Sequence, residues 1–323
     1  APAVSGAIEL PASELPLKRA PNAVVCLLPI IAGFVGADTT AAILATKIHE
    51  SDVTRCLVDI GTNGEVVMGS KDKLMACSAP AGPALEGGQI HQGMRAAVGA
   101  IEKVQIDDDM HVQTIGNAKP IGICGSGLID AISAMMDAGL VDGAGRLRHK
   151  DHEDLPKKLA ARFVTDGKAR HIVLALAEET GVNEDIILTQ MDIRQLQLAK
   201  GAIYAGILML QHVMEVPDEN LDELYVCGGF GNYISMESAI KIRLIPGLPP
   251  ERVSYFGNAA LLGAQMALLS EEERTSAEEI VHTVEHVALA THPTFQEIFV
   301  DACNLAEIDL KAERKRDRQA ARA

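Results

Sequence analysis

Three short apolar segments lie between residues 56 and 79, and they constrain the fold more than any other stretch of the chain. The first is CLVDI, the turn GTNG follows it, and the other two are EVVMGS and KLMACSA. Short runs rich in β-branched residues, joined by turns that contain glycine, are typical of neighbouring antiparallel strands. The sequence therefore predicts a meander of three strands, with Asp59 at the end of its first strand.

Strand-like and helix-like segments alternate through the rest of the chain, which predicts an α/β fold with a mixed sheet flanked by helices. We expect a buried strand in AVVCLLPIIAGF and another strand in ELYVCGGFGN. The predicted helices are GADTTAAILATKIHE, a helix beginning in GPALEGGQIHQGM, GLIDAISAMMDAG with Gly139 as its cap, IRQLQLAKGAIYAGILMLQHVM and MESAIKIR. Lys200 is expected at the surface of the long helix. Between about 148 and 170 charges crowd together, which predicts an exposed insertion.

The composition excludes several classes of partner. The 44 Asp and Glu residues outnumber the 29 Lys and Arg residues, and the net charge of −15 argues against nucleic acid or an anionic membrane as the main partner. No apolar run reaches the length of about 20 residues that a membrane span needs. The six cysteines form no CxxC pair, so we expect reduced thiols in a cytoplasmic protein.

Three glycine-containing turns follow apolar strands: GTNG at 61–64, GICGSG at 122–127 and CGGFGN at 227–232. Glycine lets backbone N–H groups approach a ligand closely, and a helix that begins behind such a turn favours a bound anion. The second and third turns precede predicted helices, so the pattern is typical of phosphate binding. A single turn of this kind is equally well explained as a tight connection between a strand and a helix.

The acidic residue beside the first turn indicates a metal ion. A carboxylate at Asp59 would repel a phosphate held by the turn unless a cation lay between them. Mg²⁺ binds through one or two carboxylates, water and substrate phosphates. We therefore expect Asp59 to hold Mg²⁺, directly or through water, while the turn of Gly61, Thr62, Asn63 and Gly64 holds phosphate.

These motifs resemble a known superfamily of nucleotide-binding proteins. VDIGTNGEV is similar to the second phosphate hairpin of the superfamily that includes acetate and sugar kinases, actin and the heat-shock ATPases, and VCGGFGN resembles its adenosine loop. GADTTAAIL is similar to its first hinge segment, and FGNAALLGA to its second hinge helix, with alanines and glycines that permit a close crossing. The resemblance implies an ASKHA-like lobe, ribonuclease H-like and actin-like, that binds ATP and Mg²⁺.

A more specific resemblance covers about residues 24–300. Six motifs in order resemble the reductive activators of corrinoid proteins: LLPIIAGFVGADTTAAILAT, LVDIGTNGEVVMG, ACSAPAGPALEGGQIHQGMRAAVGAIE, ICGSGLIDAI, MDIRQLQLAKGAI and CGGFGNYI. The resemblance implies ATP-dependent reduction of a corrinoid protein from Co(II) to Co(I). The partner would be that corrinoid protein, and electrons would arrive through a [2Fe–2S] ferredoxin domain.

The chain departs from that family at its beginning. Family members carry an N-terminal ferredoxin domain with its cluster and a first phosphate hairpin of DIGTT type, and neither motif is present in this sequence. We therefore expect a C-terminal fragment that binds nucleotide weakly or not at all by itself.

The resemblance assigns roles to residues in several turns. Asp38 and Asp59 are the expected catalytic residues, with Asp38 orienting the attacking water or a hydrated Mg²⁺. The other expected nucleotide or phosphate contacts are Gly61, Thr62, Asn63, Gly64, Glu65, Gly82, Pro83, Glu86, Gly125, Ser126, Gly127, Gly228, Gly229, Phe230, Gly231 and Asn258.

Several of these residues have a simple structural alternative. Asp38 also fits a helix N-cap. Asn63 fits a left-handed turn residue, and Glu65 fits the start of the next strand. Glu86 fits an exposed acid in the first turn of a helix, and Phe230 fits a core side chain.

The resemblance divides the chain into three parts. Residues 1–55 would be a linker and the remainder of a first lobe, including the first hinge segment. Residues 56–270 would form the second, nucleotide-binding lobe, which carries the insertion at about 148–170. Residues 271–323 would add a C-terminal strand and helix with a basic tail.

Two other functions stay open. A nucleotide-independent module that docks the corrinoid protein, or forms a homodimer, would keep the glycine turns as architecture. A small-molecule kinase would need a pocket motif for a sugar or a carboxylate, and the sequence contains no recognisable motif of this kind. Nucleotide binding separates the first alternative from an ATPase.

Overall fold

The computed structural model describes residues 5–16, 22–148, 155–166, 169–229 and 234–306 and has a mixed α/β fold. Its helices are α1 (Ala37–Thr46), α2 (Gly125–Asp137), α3 (Lys157–Ala161), α4 (Gln190–Met214), α5 (Met236–Lys241), α6 (Ala259–Leu269), α7 (Glu271–Thr283) and α8 (Phe295–Ala302). Its strands are β1 (Ile8–Pro11), β2 (Val24–Leu27), β3 (Arg55–Ile60), β4 (Gly64–Ser70), β5 (Lys73–Ala79), β6 (Ala100–Ile106), β7 (Met110–Thr114), β8 (Gly122–Ile123), β9 (Phe163–Asp166), β10 (Ala169–Ala175), β11 (Ile186–Thr189), β12 (Glu223–Cys227), β13 (Val253–Gly257) and β14 (Val284–His286).

The chain forms two compact units. The first comprises Ala1–Pro80, Ala205–Asn232 and Leu248–Ile298, and the second comprises Ala81–Tyr204, Tyr233–Gly247 and Phe299–Ala323. The predicted domain boundaries at residues 55 and 270 do not coincide with the limits of these units, and they stay a prediction.

A six-stranded mixed sheet forms the centre of the first unit, in the order β13-β12-β3-β4-β5-β14. β3, β4 and β5 are antiparallel neighbours, which confirms the predicted meander, and β12 runs parallel to β3. One face of the sheet, which includes Leu57, Val67 and Ala76, is buried with α1, α6 and α7 in a single apolar core. Removing this apolar surface from water is the main force that holds α1 on the sheet.

α1 and α6 cross at very short range within this core. A Cβ atom at Gly263 would lie 1.8 Å from the carbonyl oxygen of Ala41, so a side chain at position 263 would collide with the backbone of α1. The predicted close crossing of these two small-residue helices is therefore confirmed, as is the predicted helix at α1.

The second unit contains two three-stranded sheets, in the orders β7-β6-β8 and β11-β10-β9. The short strand β8 leads into α2, and Gly139 follows that helix with a φ of 64°, as the sequence predicts. The predicted long helix is also confirmed as the 25 residues of α4.

One predicted helix and the predicted burial of one strand are wrong. Residues in GPALEGGQIHQGM form only a single 3-10 turn, Pro83–Glu86, because the chain leaves the helical conformation at Gly87, whose φ is 78°. The strand expected to be buried is β2, which pairs with β1 in a two-stranded sheet and leaves Val24 58% and Leu27 48% exposed.

One prediction of exposure is wrong, and another stays a prediction. Within the predicted insertion most described residues are exposed, whereas Leu159, Arg162 and Phe163 are buried and Arg162 forms a 2.6 Å ion pair with Asp109. Lys200, expected at the surface of α4, is completely buried. The predicted basic tail lies outside the described residues.

In the described part of the chain, no helix combines the length and the apolar character needed to cross a membrane.

Candidate functional site

Four polar or ionisable side chains form a row across the central sheet of the first unit. Asp59 on β3 lies opposite Cys227 on β12 and opposite Glu65 on β4, and Glu65 lies opposite Ser78 on β5. Paired residues on neighbouring strands point to the same side of a sheet. Because Asp59 follows Leu57 by two positions, the row lies on the face that packs against α1. The Ser78 hydroxyl donates a 3.1 Å hydrogen bond to Oε1 of Glu65.

Asp38 brings a third carboxylate to this row. It is the second residue of α1, and its Oδ1 accepts a 2.9 Å hydrogen bond from the backbone N–H of Thr39. Gly36 occupies the N-cap position, so the alternative that Asp38 is the N-cap is wrong. Asp38 is exposed to solvent, yet its charge acts on both Asp59 and Glu65.

Burial, and to a smaller extent neighbouring negative charge, changes the acidity of Asp59 and Glu65. Burial, and secondarily the charge of Asp38, raises the pKa of Asp59 to about 6. Burial also raises the pKa of Glu65 to about 7, with smaller contributions from Asp38 and Asp59, while the hydrogen bond from Ser78 opposes the rise. Both groups therefore titrate near neutral pH, which shows that their negative charges are poorly compensated.

The carboxylates of the row fit a hard divalent cation that takes only one or two of them as ligands. Asp38, Asp59 and Glu65 form no ion pair with a Lys, Arg or His residue within the described ranges. The same ranges contain no group of three His, Cys, Asp or Glu side chains close enough to enclose a metal ion. An ion held here would rely on water and phosphate for its remaining ligands, which is usual for Mg²⁺.

The turn between β3 and β4 leaves its tip accessible. Thr62 and Asn63 are exposed, and the N–H of Gly61 donates a 3.0 Å hydrogen bond to the carbonyl oxygen of Asn63. Asn63 does not have a positive φ, so the alternative of a left-handed turn residue is wrong. Glu65 is the second residue of β4 and half-buried, which places its side chain in the row rather than in the solvent.

Gly228 lies directly against Asp59. A Cβ atom at position 228 would be 2.7 Å from Oδ1 of Asp59 and 2.5 Å from the carbonyl oxygen of Ile60, and the φ of Gly228 is 101°. Gly229 follows with open space around it. This glycine pair therefore allows the predicted adenosine loop to approach the carboxylate row. Phe230 and Gly231, the other predicted residues of the loop, lie outside the described residues.

The predicted phosphate turn at 125–127 belongs to the second unit, where it has a packing role. A Cβ atom at Gly125 would lie 1.9 Å from the carbonyl oxygen of Leu85, and one at Gly127 would lie 2.0 Å from that of Ile101. Ser126 is buried, with its hydroxyl 3.2 Å from the Cys124 thiol. This packing accounts for both glycines without a ligand, so phosphate binding by this turn stays a prediction.

The remaining predicted contacts lie in a 3-10 turn and at the start of a helix. Gly82 and Pro83 open the 3-10 turn of the second unit, which ends at Glu86. Asn258 uses its side-chain oxygen as the N-cap of α6, at 2.8 Å from the N–H of Leu261. A nucleotide contact by any of these residues stays a prediction.

Two members of the carboxylate row were not predicted as site residues. Ser78 and Cys227 become neighbours of Glu65 and Asp59 only through strand pairing. For Ser78 the sequence contains a usable signal, because the two-residue turn of Lys71 and Asp72 fixes which residues of β4 and β5 face each other. The position of Cys227 beside Asp59 depends on the parallel pairing of β3 with β12, two strands that are distant in sequence.

All six cysteines are free thiols, as expected.

Comparison with known proteins gives consistent matches along the chain. Residues 54–315 match the family described as "C-terminal domain of RACo the ASKHA domain", and residues 1–51 match the "RACo middle region". The chain is 38% identical over 295 residues to "Corrinoid activation enzyme RamQ" of Eubacterium limosum, a match that covers 91% of this chain and 49% of the relative. It is 28% identical over 322 residues to "[Co(II) methylated amine-specific corrinoid protein] reductase" of Methanosarcina barkeri, covering 92% and 54%.

A solved structure supports the same assignment. The "Reductive activator for corrinoid,iron-sulfur protein" superposes with a TM-score of 0.86 at 38% identity, over 96% of this chain and 49% of that structure. The chain thus spans about half the length of the relatives it matches. The matched ranges, the fold and the identity agree: the chain belongs to the RACo family, whose relatives include corrinoid reductive activators, and it contains the C-terminal ASKHA domain.

Proposed function

We propose that the chain is the ATP-binding part of a reductive activator that converts a corrinoid protein from Co(II) to Co(I). The observation that carries the proposal is the convergence of Asp38, Asp59 and Glu65 beside the open turn at 61–64, within an ASKHA domain. Such carboxylates, poorly compensated and next to a turn whose residues Thr62 and Asn63 are exposed, suit a magnesium–phosphate group.

The three carboxylates and the two loops beside them each have a proposed part in binding. Asp59 holds Mg²⁺, directly or through water, and Asp38 orients the attacking water or the hydrated ion. Gly61, Thr62, Asn63 and Gly64 bind phosphate, and the loop at 228–231 borders the adenosine. Mg²⁺, when bound, would neutralise the carboxylates and the phosphate oxygens together. Glu65, opposite Asp59, would add a second carboxylate near that ion.

ATP enters this function as the driving force of an uphill electron transfer. A Co(II) corrinoid has a potential too low for an ordinary ferredoxin donor, so reduction needs coupling to another reaction. ATP binding and hydrolysis would shift the protein between states that bind the corrinoid protein differently, and the shift is limited by the difference in affinity. The electrons would come through a [2Fe–2S] ferredoxin domain, the donor that the family resemblance implies.

A second candidate function is a module that docks the corrinoid protein, or forms a homodimer, without nucleotide. The tight packing of Gly125 and Gly127 favours it, since this packing explains two predicted phosphate-binding glycines as architecture.

Calorimetric titration with Mg-ATP and with a non-hydrolysable analogue tests the proposal. The titration is run on this chain and on a longer family protein that includes the upstream residues. In whichever protein binds, Asp59→Asn should weaken Mg²⁺-dependent affinity by about 2 kcal/mol or more. The matched control is Asp52→Asn, an exposed carboxylate paired with Lys71, which should bind as the wild type does. If neither protein binds nucleotide, the docking module is the better account.

A further inference from the structure

The side chain of Lys200 is the largest fully buried side chain in the described part of the protein. Its Nζ donates a hydrogen bond to the backbone carbonyl oxygen of Asn304. Lysine is almost never fully buried without a partner charge, because removing an ammonium group from water is costly. A backbone carbonyl is a good acceptor but carries no full negative charge, so the ammonium form is poorly supported.

Asn304 belongs to a segment that we call the C-terminal strap, residues 301–306. Two further side chains hold the strap within the second unit. Gln197, one turn before Lys200 on α4, donates a 2.9 Å hydrogen bond to the carbonyl oxygen of Cys303. Arg243 forms a 2.8 Å ion pair with Asp301. The strap is therefore fastened by side chains from α4 and from the loop that follows α5.

The backbone of the strap is tied down as well. The N–H of Leu305 donates a 2.7 Å hydrogen bond to the carbonyl oxygen of Gly143, and both Leu305 and Cys303 are buried. Gly201, next to Lys200, has no room for a side chain, because a Cβ atom there would be 2.9 Å from Sγ of Cys303. Lys200 is thus covered by the strap and becomes solvent-accessible only when the strap moves.

The charges around Lys200 do not stabilise its protonated form. Arg243 is the main charged neighbour and repels it. The carboxylate of Asp301 attracts Lys200 but is already paired with Arg243, whose guanidinium also stacks 5.2 Å from the ring centre of Tyr204.

Two further ionisable groups are Cys303, within the strap, and Arg194, on α4. The Cys303 thiol has a pKa raised by burial, and the positive charge of Arg194 acts on that thiol. In the loop that receives Leu305, Asp142 is paired with Arg146 at 2.7 Å. Burial, with Arg243 second, lowers the pKa of Lys200 to about 7.

We propose that Lys200 makes the docking of the C-terminal strap pH-dependent: the strap is held over a neutral amine and is released when Lys200 takes up a proton. This proposal does not rest on the proposed binding of nucleotide.

The direction follows from proton linkage. With the strap released, Lys200 is solvated and has an ordinary pKa near 10.4, whereas docking lowers that pKa to about 7. Docking therefore expels a proton at intermediate pH. The equilibrium constant for docking rises by up to about tenfold per pH unit between these two values as the pH rises. As the pH falls, docking weakens, and the loss levels off below about pH 7.

Two cysteines already present provide the test. Cys303 lies in the strap, and Cys124 is also buried in the same unit, at the start of α2. The rate of iodoacetamide labelling at each thiol is measured by peptide mass spectrometry in the folded chain and in the chain unfolded in urea. The ratio of the two rates is a protection factor from which the intrinsic pH dependence of thiol reactivity cancels.

We expect the protection factor of Cys303 to be at least about tenfold smaller at pH 7 than at pH 9. The protection factor of Cys124 should be the same at both pH values. Lys200→Met, which keeps the length and removes the titrating group, should abolish the difference. Lys241→Met, at a partly exposed lysine of the same unit paired with Asp137, should leave it intact.

Three results would overturn the proposal. These are equal protection of Cys303 at the two pH values, a pH dependence that survives in Lys200→Met, and a parallel loss of protection at Cys124, which would indicate unfolding of the whole unit. If Lys200→Met fails to fold, the comparison of Cys303 with Cys124 in the wild-type chain still decides between local release and no release.

Discussion

The hydroxyl group of Ser78 donates a 3.1 Å hydrogen bond to Oε1 of Glu65, and the two residues face each other on β5 and β4. This bond opposes the rise in the pKa of Glu65. It thereby keeps more of that carboxylate ionised beside Asp59 at neutral pH.

Replacing Ser78 by alanine removes the donor, at a cost of about 1 kcal/mol for a hydrogen bond to a buried carboxylate. If the proposed site is correct, Ser78→Ala should weaken Mg²⁺-dependent nucleotide affinity about fivefold at pH 7. Ser78→Thr retains the hydroxyl and should bind like the wild type. Calorimetric titration measures all three proteins, and equal affinities would show that Glu65 does not depend on Ser78.

The raised pKa values of Asp59 and Glu65 predict how the stability of the ligand-free protein depends on pH. Each folded-state pKa, about 6 and about 7, lies above the ordinary value for its residue. The stabilisation from the neutral forms is therefore complete at low pH and is lost as the pH rises through 6 and 7. Asp59→Asn should raise the free energy of unfolding at pH 8 by about 1 kcal/mol, after allowance for partial exposure.

Urea unfolding at pH 5 and pH 8 measures this effect. The difference between the two pH values should shrink in Asp59→Asn and should shrink further when Glu65→Gln is added. If the difference in the free energy of unfolding between pH 5 and pH 8 is the same in the wild type and in Asp59→Asn, the prediction is wrong.

Gly228→Ala should damage the site more than the fold. A methyl group at this position meets Oδ1 of Asp59 at 2.7 Å and the carbonyl oxygen of Ile60 at 2.5 Å, so the loop has to move away from the row. We expect at least a tenfold loss of Mg²⁺-dependent nucleotide affinity, or about 1.4 kcal/mol. Gly229→Ala is the matched control, because position 229 has open space. Equal losses in both variants would count against the contact with Asp59.

Gly263→Ala tests the crossing of α1 and α6. The added methyl group would lie 1.8 Å from the carbonyl oxygen of Ala41, and overpacking of this kind costs about 1–3 kcal/mol. Gln265→Ala, on the exposed side of α6, should change the free energy of unfolding by about 0.5 kcal/mol or less. Thermal and urea unfolding measure both variants, and a tolerated alanine at 263 would mean that the helices separate easily.

Local sequence patterns were sufficient for part of the fold. The meander of β3, β4 and β5 was predictable because its turns are short, and α1, α2 and α4 carry helical spacing or glycine caps. The expected helix after Pro83 failed because glycine permits φ values that end a helix within one turn. β2 failed because apolar composition does not specify which surfaces cover a strand.

The candidate site also has a part that the sequence predicts and a part that it does not. Asp59 and its turn were recognisable because residue types and spacing lie within a few positions of each other. The pairing of Asp59 with Cys227 joins strands more than 160 residues apart, and no local pattern encodes it. The prediction of an exposed Lys200 is wrong because an amphipathic pattern does not reveal that a distant C-terminal segment covers that side of α4.

The three-residue connection between β3 and β4 controls the electrostatics of the whole row. Ile60 pairs with Gly64, and from that starting point every later pair of the hairpin is fixed, including Asp59 with Glu65. Because side chains alternate between the faces of a sheet, a shift of the hairpin register by one residue would exchange them. Glu65 would then turn towards the opposite face, where Cys77 lies against Gly206 of α4, and a shift in one direction would place Val66 beside Asp59. The length of this connection, as much as the identity of its residues, thus determines where negative charge gathers.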